Sequence, residues 1–274
     1  MNPQKRAIAK FKETIWDYYE KNGRHSLPWR KTRDPYEILV SEIMLQQTQV
    51  SRVTTKWSDF LAKFPTAAAL ADASVPDVLK MWQGLGYNRR ALNLKRAAET
   101  VMRDFGGKFP KMADELESLS GIGQSTRGAI MAFAFGLPTP FIETNIRAIY
   151  IHHFFGDSTR IHDRDLMPLI EETLDQKNPR DWYYALMDYG VHLKQTLPNP
   201  SRKSAHHARQ SSFKGSNREV RSRILKLVLA KTQAGAAAPT RAEIIAHIGK
   251  TEHDVDKNID SLVKEGFMDE PIRA

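Results

Sequence analysis

The stretch LSGIGQSTRGAIMAF, residues 119–133, places two glycines in a short turn between two segments with helical spacing of apolar residues. Glycine allows a positive φ and close approach by another backbone. Gly121 and Gly123 therefore predict a tight bend, with the next helix beginning at about Gln124 or Ser125. The free N–H groups and the dipole at that helix start are suited to binding a phosphate.

The hairpin is the first candidate contact with a nucleic acid. The chain has 41 Lys and Arg against 32 Asp and Glu, and its formal net charge of +9 favours a polyanionic partner. Thr126, in the first turn of the predicted helix, joins Gly121, Gly123 and Ser125 as a candidate phosphate-binding residue. Two alternatives stay open, because any helical hairpin can contain such a turn and a basic chain can simply be soluble.

Helical periodicity dominates the chain. Apolar residues recur at i, i+3 and i+4, while the alternation typical of strands is rare. Turns rich in Gly and Pro, such as GLGY (84–87) and GLPTP (136–140), separate the predicted helices. These features predict an all-α fold with tight connections.

One predicted helix carries a carboxylate that its surroundings do not explain. Asp34 and Pro35 mark the start of this helix, as an acidic N-cap followed by proline at the first helical position. Glu42 then lies in an almost continuous apolar run, YEILVSEIMLQQT (36–48). A helix that is apolar on every side has no solvent face for such a group.

The C-terminal part of the chain differs in composition. Residues 197–217 form a basic, loop-like segment, which either links domains or lies along a phosphate backbone. Residues 218–274 contain three amphipathic helices that end at Gly266, followed by a short strand-like tail. This order is typical of a winged helix, which contacts either DNA or another protein.

Composition excludes several kinds of site. The chain contains no cysteine, so it cannot form a disulfide, a thiolate zinc site, a cysteine-ligated iron–sulfur cluster or a cysteine nucleophile. No apolar run approaches the roughly 18 residues of a membrane span, and the N-terminal segment lacks the apolar core of a signal peptide. We expect a cytoplasmic protein, associated with the nucleoid if its source is prokaryotic, that does not contact membranes.

Five sequence blocks together resemble the helix-hairpin-helix (HhH-GPD) DNA glycosylase superfamily. The blocks are LPWRKTRDPYEILVSEIMLQQTQV (27–50), MWQGLGYNRRALNLKRAA (81–98), GGKFP (106–110), LSGIGQSTRGAIMAF (119–133) and PFIETNIRAI (140–149). The similarity covers about residues 8–195. It is greatest to the adenine glycosylase (MutY) branch, with the endonuclease III branch next.

The resemblance implies a two-domain helix-hairpin-helix DNA glycosylase fold with a DNA-binding cleft. The expected domains are residues 1–29 with 141–196, and residues 30–140 with the hairpin. The first helix would pack with the helices after about residue 141. Residues 197–217 remain a basic linker or loop, and residues 218–274 a winged-helix-like module.

Glu42 is the first catalytic candidate. Hydrolysis of an N-glycosidic bond requires protonation of the leaving base and negative charge near the oxocarbenium-like sugar, and paired carboxylates meet both needs. Burial raises the pKa of a carboxyl group toward that of a useful acid at neutral pH. In the family the glutamate of this block protonates the base, so the resemblance implies the same role for Glu42. The alternative is a structural ion pair of Glu42 with Arg30 or Arg127.

The second carboxylate departs from the family pattern. The family's catalytic aspartate aligns with Glu143, and Asn145 follows two residues later; both are catalytic candidates. Glutamate keeps the charge but extends about 1.5 Å further on a more flexible arm. Helix capping is the alternative, because Glu143 directly precedes an amphipathic helix.

Other residues match family positions that contact DNA. Gln47 and Tyr87 match elements that fill the gap left by a flipped base and probe the opposite base. Arg30 matches a residue of the adenine pocket. Packing between helices is the alternative for Tyr87, and stapling of the N-terminal helix for Arg30. Ser125 replaces the lysine with which the lyase branch forms a Schiff base, which favours a monofunctional hydrolase.

The family's cofactor is not expected in this chain. Most relatives carry four cluster-binding cysteines after the position of DYGVHL, where this chain has a basic segment with the pair His206–His207. We predict no iron–sulfur cluster, no other cofactor and no side-chain metal site, and we expect both histidines to be exposed or to contact phosphate. A monovalent cation on the backbone carbonyls of Glu117, Leu119 and Ile122 is a separate candidate.

The C-terminal tail also differs from the β-rich domain that recognises 8-oxoguanine in adenine glycosylases.

The leading hypothesis is a monofunctional, clusterless DNA glycosylase that acts as a monomer on double-stranded DNA and releases a mispaired or damaged base, most readily adenine. A second hypothesis keeps the fold and changes the target to uracil, thymine in a G·T mismatch or another lesion. A third is a non-catalytic DNA-binding or regulatory protein. Glu42 argues against the third, because a carboxylate in that helix costs stability without benefit to a pure binder.

Overall fold

The protein is helical throughout the residues that its computed structural model describes, 3–208 and 211–271. Two 3₁₀ helices (Pro28–Arg30 and Pro200–Lys203) accompany α-helices α1 (Pro3–Asn22), α2 (Pro35–Leu45), α3 (Val50–Lys63), α4 (Ala67–Asp72), α5 (Val75–Trp82), α6 (Arg89–Asp104), α7 (Ala113–Ser118), α8 (Gln124–Phe133), α9 (Thr144–Phe154), α10 (Asp163–Thr173), α11 (Pro179–Thr196), α12 (Asn217–Gln233), α13 (Arg241–Ile248) and α14 (Glu252–Lys264). This confirms the all-α prediction. None of these helices is both long and apolar enough to cross a membrane.

The helices belong to two compact units. The first contains Met1–Glu42 and Phe109–Arg209, and the second contains Ile43–Lys108 and Gln210–Ala274. These bounds differ from the predicted domains in several ways. Residues 30–42, with most of α2, belong to the first unit and not to the second. The hairpin helices α7 and α8 belong to the first unit, because α8 packs against α11. The C-terminal helices share the second unit with α3–α6 and do not form a unit of their own.

Aromatic side chains form the part of the first unit's core that joins α1 to α9 and α11. The ring centroid of Phe11 lies 5.1 Å from that of Tyr150 and 6.1 Å from that of Trp182. All three side chains are almost completely buried. Burial of each ring stabilises the fold by roughly 2 kcal/mol. The N-terminal helix thus packs with helices that follow residue 141, as expected.

The basic segment begins as packed structure, which differs from the predicted loop. Pro200 and Ser201 are buried next to α9, where the Ser201 hydroxyl donates to the Thr144 carbonyl over 3.1 Å. Ser204 forms an isolated β-bridge with Ile161. Small and rigid side chains allow this close approach despite the charge of the segment. Its residues 209–210 lie outside the described part of the chain.

The second unit contains the three predicted C-terminal helices but not the predicted strand after them. Gly266 has a φ of +80°, which glycine adopts without strain and which ends α14. Phe267 then turns inward and is 4% exposed, with the Arg221 guanidinium 5.5 Å from its ring. Residues 267–271 form no strand, since the described part of the unit offers no strand to pair with them.

Candidate active site

Glu42 lies on α2 beside residues that are completely buried. Its neighbour Ser41 has no exposed surface, whereas Glu42 itself is partly exposed. The helix start is fixed by Asp34, whose carboxylate accepts the backbone N–H groups of Tyr36 and Glu37 over 2.8 and 3.1 Å. This confirms the predicted N-cap. A carboxyl group is therefore held on a rigid helix at a point that solvent can reach.

The Glu42 carboxyl has no counter-ion or hydrogen-bond donor among the described residues. Burial raises the pKa of Glu42 to about 8; the charge of Glu143 adds to this rise and that of Arg30 opposes it. The two carboxyl groups therefore interact electrostatically, as expected for neighbouring acids. A carboxyl group that is protonated at neutral pH can serve as a general acid.

Neither arginine proposed as a structural partner of Glu42 is paired with it. Arg30 donates two hydrogen bonds to Asp188, each 2.7 Å long. Arg127 forms an ion pair of 2.9 Å with Glu117 across the hairpin. The alternative of a structural ion pair at Glu42 is therefore wrong.

Arg30 joins the segment after α1 to α11. Its side chain is 5% exposed, and its guanidinium lies 4.3 Å from the ring centroid of Tyr184. Asp188 also accepts the backbone N–H and the Nε of Arg24, over 2.8 and 2.6 Å. Burial alone would raise the pKa of Asp188, but Arg30 and Arg24 outweigh this and lower it. Arg30 thus fixes the segment after α1 to α11, whereas its stapling of helix α1 and its place in a base pocket stay predictions.

Glu143 caps helix α9, as the alternative reading of its position predicted. One carboxylate oxygen accepts the backbone N–H groups of Asn145 and Ile146 over 2.7 and 2.8 Å. The other accepts from the Asn145 side-chain amide over 3.1 Å. Burial raises the pKa of Glu143, and these three donors oppose the rise together with Lys194. Glu42 lacks such donors among the described residues, so hydrogen bonding favours the ionised form of Glu143 and not that of Glu42.

Two residues of α11 complete this arrangement and were not among the sequence candidates. Lys194 Nζ donates to Asn145 Oδ1 over 2.8 Å, and burial lowers its pKa while Glu143 opposes the fall. Gly190 allows α11 to approach this point, because a Cβ there would lie 2.6 Å from the Asn145 Cβ. No local pattern marks either residue, since each meets Asn145 only through the fold.

The hairpin has the predicted form. Gly121 has a φ of +83°, Gly123 is the N-cap, and α8 begins at Gln124. A Cβ on Gly123 would meet nothing within 4 Å, so another molecule could approach its backbone. Ser125 is partly exposed, but Thr126 is only 8% exposed and offers little surface to a phosphate. Phosphate and cation binding at this turn stay predictions.

Gln47 and Tyr87 lie in the second unit, and both have unusual backbones. Their φ angles are +56° and +47°, in the left-handed region that residues other than glycine rarely occupy. Such conformations cost about 1–3 kcal/mol each and are found mainly at functional sites. The Tyr87 hydroxyl accepts a 2.6 Å hydrogen bond from Arg218 of α12, so packing does contribute to its position.

Buried Arg90 holds the two segments that carry Gln47 and Tyr87. Its guanidinium donates to the carbonyls of Ile43 and Met44, both over 2.9 Å, and to those of Leu85 and Gly86 over 3.0 and 2.9 Å. Burial lowers the pKa of Arg90 to about 10. A single arginine thus ties the end of α2 to the GLGY turn, a role that the sequence analysis missed.

No group of three or more His, Asp or Glu side chains is arranged to hold a metal ion in residues 3–208 and 211–271. His206 and His207 are exposed, which agrees with one of the two predictions for them. The His206 ring lies 5.7 Å from that of His162, without a third candidate ligand in the described chain. The donor set of the segment therefore does not suit a cluster or a zinc ion.

Comparison with known proteins places the chain in a family. Residues 40–176, half of the chain, match the model of the HhH-GPD superfamily base excision DNA repair proteins. An adenine DNA glycosylase of Buchnera aphidicola subsp. Baizongia pistaciae is 36% identical over 66% of this chain and 52% of its own length. The chain thus spans about half the length of such curated relatives.

Other relatives act on pyrimidines. A thymine/uracil-DNA glycosylase of Pyrobaculum aerophilum is 33% identical over 66% of this chain and 81% of its own length. A solved thermostable thymine-DNA glycosylase is 28% identical, with a TM-score of 0.63 over 69% of this chain and 88% of that one. The chain belongs to the HhH-GPD superfamily of base excision DNA repair proteins.

Proposed function

We propose that the protein is a monofunctional DNA glycosylase that hydrolyses the N-glycosidic bond of a flipped, mispaired base, and that this base is adenine. The observation that carries the proposal is Glu42, a partly buried carboxyl group that no described residue pairs with. Burial raises its pKa to about 8, and the charge of a second carboxyl group, Glu143, adds to the rise. A pure DNA-binding protein gains nothing from such a group.

The two carboxyl groups suit the two halves of the reaction. Glu42 donates its proton to the leaving base as the C1′–N bond breaks. Glu143 stabilises the oxocarbenium-like sugar and accepts a proton from the water that adds to C1′. The free base and an abasic sugar result, and solvent returns the proton from Glu143 to Glu42. Lys194 and Asn145 favour the ionised form of Glu143 that this step needs.

Adenine is proposed because adenine DNA glycosylases from several organisms are 33–39% identical to this chain. Thymine or uracil is a second candidate, because the thymine/uracil glycosylase relative is matched over 81% of its length. A panel of defined duplexes tests both: A opposite G, C and 8-oxoguanine, T and U opposite G, and a paired control. We expect alkali-labile breaks at adenine. Breaks at no base overturn the proposed function, and breaks only at T or U overturn the proposed substrate.

We also propose hydrolysis without a covalent intermediate and without a cofactor, in a monomer that binds mismatched duplex DNA. Ser125 at the hairpin offers no amine for a Schiff base. Borohydride should therefore trap no enzyme–DNA adduct during turnover. Efficient trapping contradicts the hydrolase mechanism. The variant Lys194→Met then shows whether the partly buried amine that donates to Asn145 is the nucleophile.

A further inference from the structure

A cavity of about 800 Å³ lies within the second unit, between the 84–88 loop and helix α12. Its volume is in the range of small-ligand sites and exceeds that of one nucleotide. Its lining includes Gln46, Gln47 and Tyr87 as well as Phe213. The catalytic chemistry proposed above uses neither α12 nor Phe213.

The charged side chains that line this cavity are all cationic. None of the described lining residues is Asp or Glu, whereas six carry positive charge: Arg52, Arg89, Arg90, Arg218, Arg221 and Lys226. The lining also includes side-chain amides, such as that of Gln83, and the aromatic rings of Tyr87 and Phe213. A groove that combines cations with exposed aromatic faces is typical of sites for single-stranded nucleic acid.

The six cationic side chains differ in how many hydrogen bonds and ion pairs they form within the protein. Arg89 and Arg221 share Glu265, with N–O distances of 2.8 and 2.9 Å. Arg52, in contrast, makes one long contact of 3.4 Å to the Gly84 carbonyl. Lys226 is exposed and has no hydrogen bond or ion pair within the described residues. Arg52 and Lys226 are therefore available to an anionic group such as a phosphate.

The aromatic side chains Tyr87 and Phe213 also differ in how firmly contacts within the protein hold them. Tyr87 is held by the 2.6 Å hydrogen bond from Arg218, whose guanidinium also lies 5.4 Å from the ring centroid. Phe213 is 55% exposed, which is unusual for a large apolar residue. Because the Phe213 ring lines the cavity without being buried by the protein, its face is available for stacking.

We propose that this cavity binds an unpaired DNA nucleotide, whose base stacks on Phe213 and whose phosphate is bound by Arg52 and Lys226. The proposal rests on the proposed function only in taking DNA as the partner. It assigns the C-terminal helices to DNA and not to protein recognition, an alternative that the sequence left open.

The test measures the preference for an unpaired nucleotide separately from catalysis. Dissociation constants are measured by fluorescence anisotropy for two labelled duplexes, fully paired or with one unpaired thymidine, in the inactive background Glu42→Gln. Phe213→Ala is added to this background, and Met102→Ala, a partly exposed apolar residue of the same unit outside the cavity, serves as the matched control. Thermal unfolding checks that each variant is folded.

Phe213→Ala removes one base–aromatic contact, so it should weaken binding of the duplex with the unpaired thymidine by about fivefold to a hundredfold. Its affinity for the paired duplex should not change, and Met102→Ala should bind both duplexes as the background protein does. Lys226→Ala should reduce the slope of log affinity against log salt concentration by about one for the duplex with the unpaired thymidine. Lys257 is exposed and lies outside the cavity, so Lys257→Ala should leave this slope unchanged. An unchanged preference in Phe213→Ala, or displacement of the unpaired DNA by an acidic peptide and not by a mononucleotide, overturns the proposal. Failure of the proposed function would instead appear as absent base release by the unmodified protein, with these binding ratios unaffected.

Discussion

Arg30 and Asp188 form a two-point ion pair in which both hydrogen bonds are 2.7 Å long. The pair is almost completely buried, with side-chain exposures of 5% and 2%. Because Asp188 takes both terminal amino groups of the guanidinium, Arg30 lies near Glu42 without neutralising it. Burial and the charge of Glu143 raise the pKa of Glu42, and Arg30, which is held by Asp188, opposes this rise.

Asp188→Asn is expected to destabilise the protein by about 3–5 kcal/mol, the usual cost of removing one partner of a buried ion pair. The freed Arg30 would also lower the pKa of Glu42. Urea unfolding measures the first effect and the pH profile of base release the second. Asp181→Asn, an exposed acid on the same helix, is the control and should change stability by less than about 1 kcal/mol. Equal stabilities of the two variants would contradict the structural role of the pair.

Base release should depend on pH through Glu42. Its pKa of about 8 predicts a single-turnover rate that falls tenfold for each pH unit above that value, because the proton donor is lost. The folded pKa lies above an unfolded value of about 4.3. The folded chain therefore holds an extra proton between roughly pH 4 and 8, and the contribution of Glu42 to stability declines as pH rises across this window. A rate that is constant from pH 7 to 10 would contradict this assignment.

Substitutions at Glu143 should separate helix capping from catalysis. Glu143→Gln keeps an oxygen that accepts the N–H groups of Asn145 and Ile146, so the free energy of unfolding should change by less than about 1 kcal/mol. It removes the charge, so base release should fall by about 10²–10⁴-fold. Glu143→Ala should lose the cap as well. If Glu143→Gln retains the full rate, Glu143 is only a cap.

Lys194→Met should slow base release by about tenfold or more at neutral pH while duplex binding persists. The variant loses the positive charge that opposes the raised pKa of Glu143, so the acidic limb of the pH profile should move to higher pH. Lys194→Arg should restore part of the rate. Exposed Lys177 provides the control Lys177→Met. An unshifted acidic limb in Lys194→Met would contradict a role for this amine in keeping Glu143 ionised.

Local sequence rules predict the elements of the fold but not the partners of their charged residues. The bend at Gly121 and the helix start at Gln124 follow from glycine and capping preferences, and the structure confirms both. The same rules identify Glu42 as a candidate, because a helix that is apolar on every side has no solvent face for a carboxyl group. They do not reveal that Arg30, one of the two arginines offered as an alternative partner of Glu42, pairs with Asp188, 158 residues away on another helix.

The buried Arg90 shows why such partners escape a reading of the sequence. It lies in a run of basic residues that reads as a solvated helix face, yet the fold turns it inward toward backbone carbonyls. Lys194, in the last turn of α11, also has a partner that is distant in sequence, since its amine donates to the Asn145 side chain. Phe267 shows the opposite case, because an apolar residue after a helix suggests a strand. Here Phe267 is buried, and its backbone N–H donates to the Leu262 carbonyl of α14.

The most direct measurement is the single-turnover rate of base release by Glu42→Gln on the best duplex substrate, alongside its duplex affinity. The substituted amide keeps the size of the side chain but cannot donate the proton, so the rate should fall by at least about a thousandfold with affinity unchanged within about threefold. Glu171→Gln, an exposed acid of the same unit, should behave as the unmodified protein. A Glu42→Gln variant that releases the base at the unmodified rate would contradict the role of Glu42 as the proton donor.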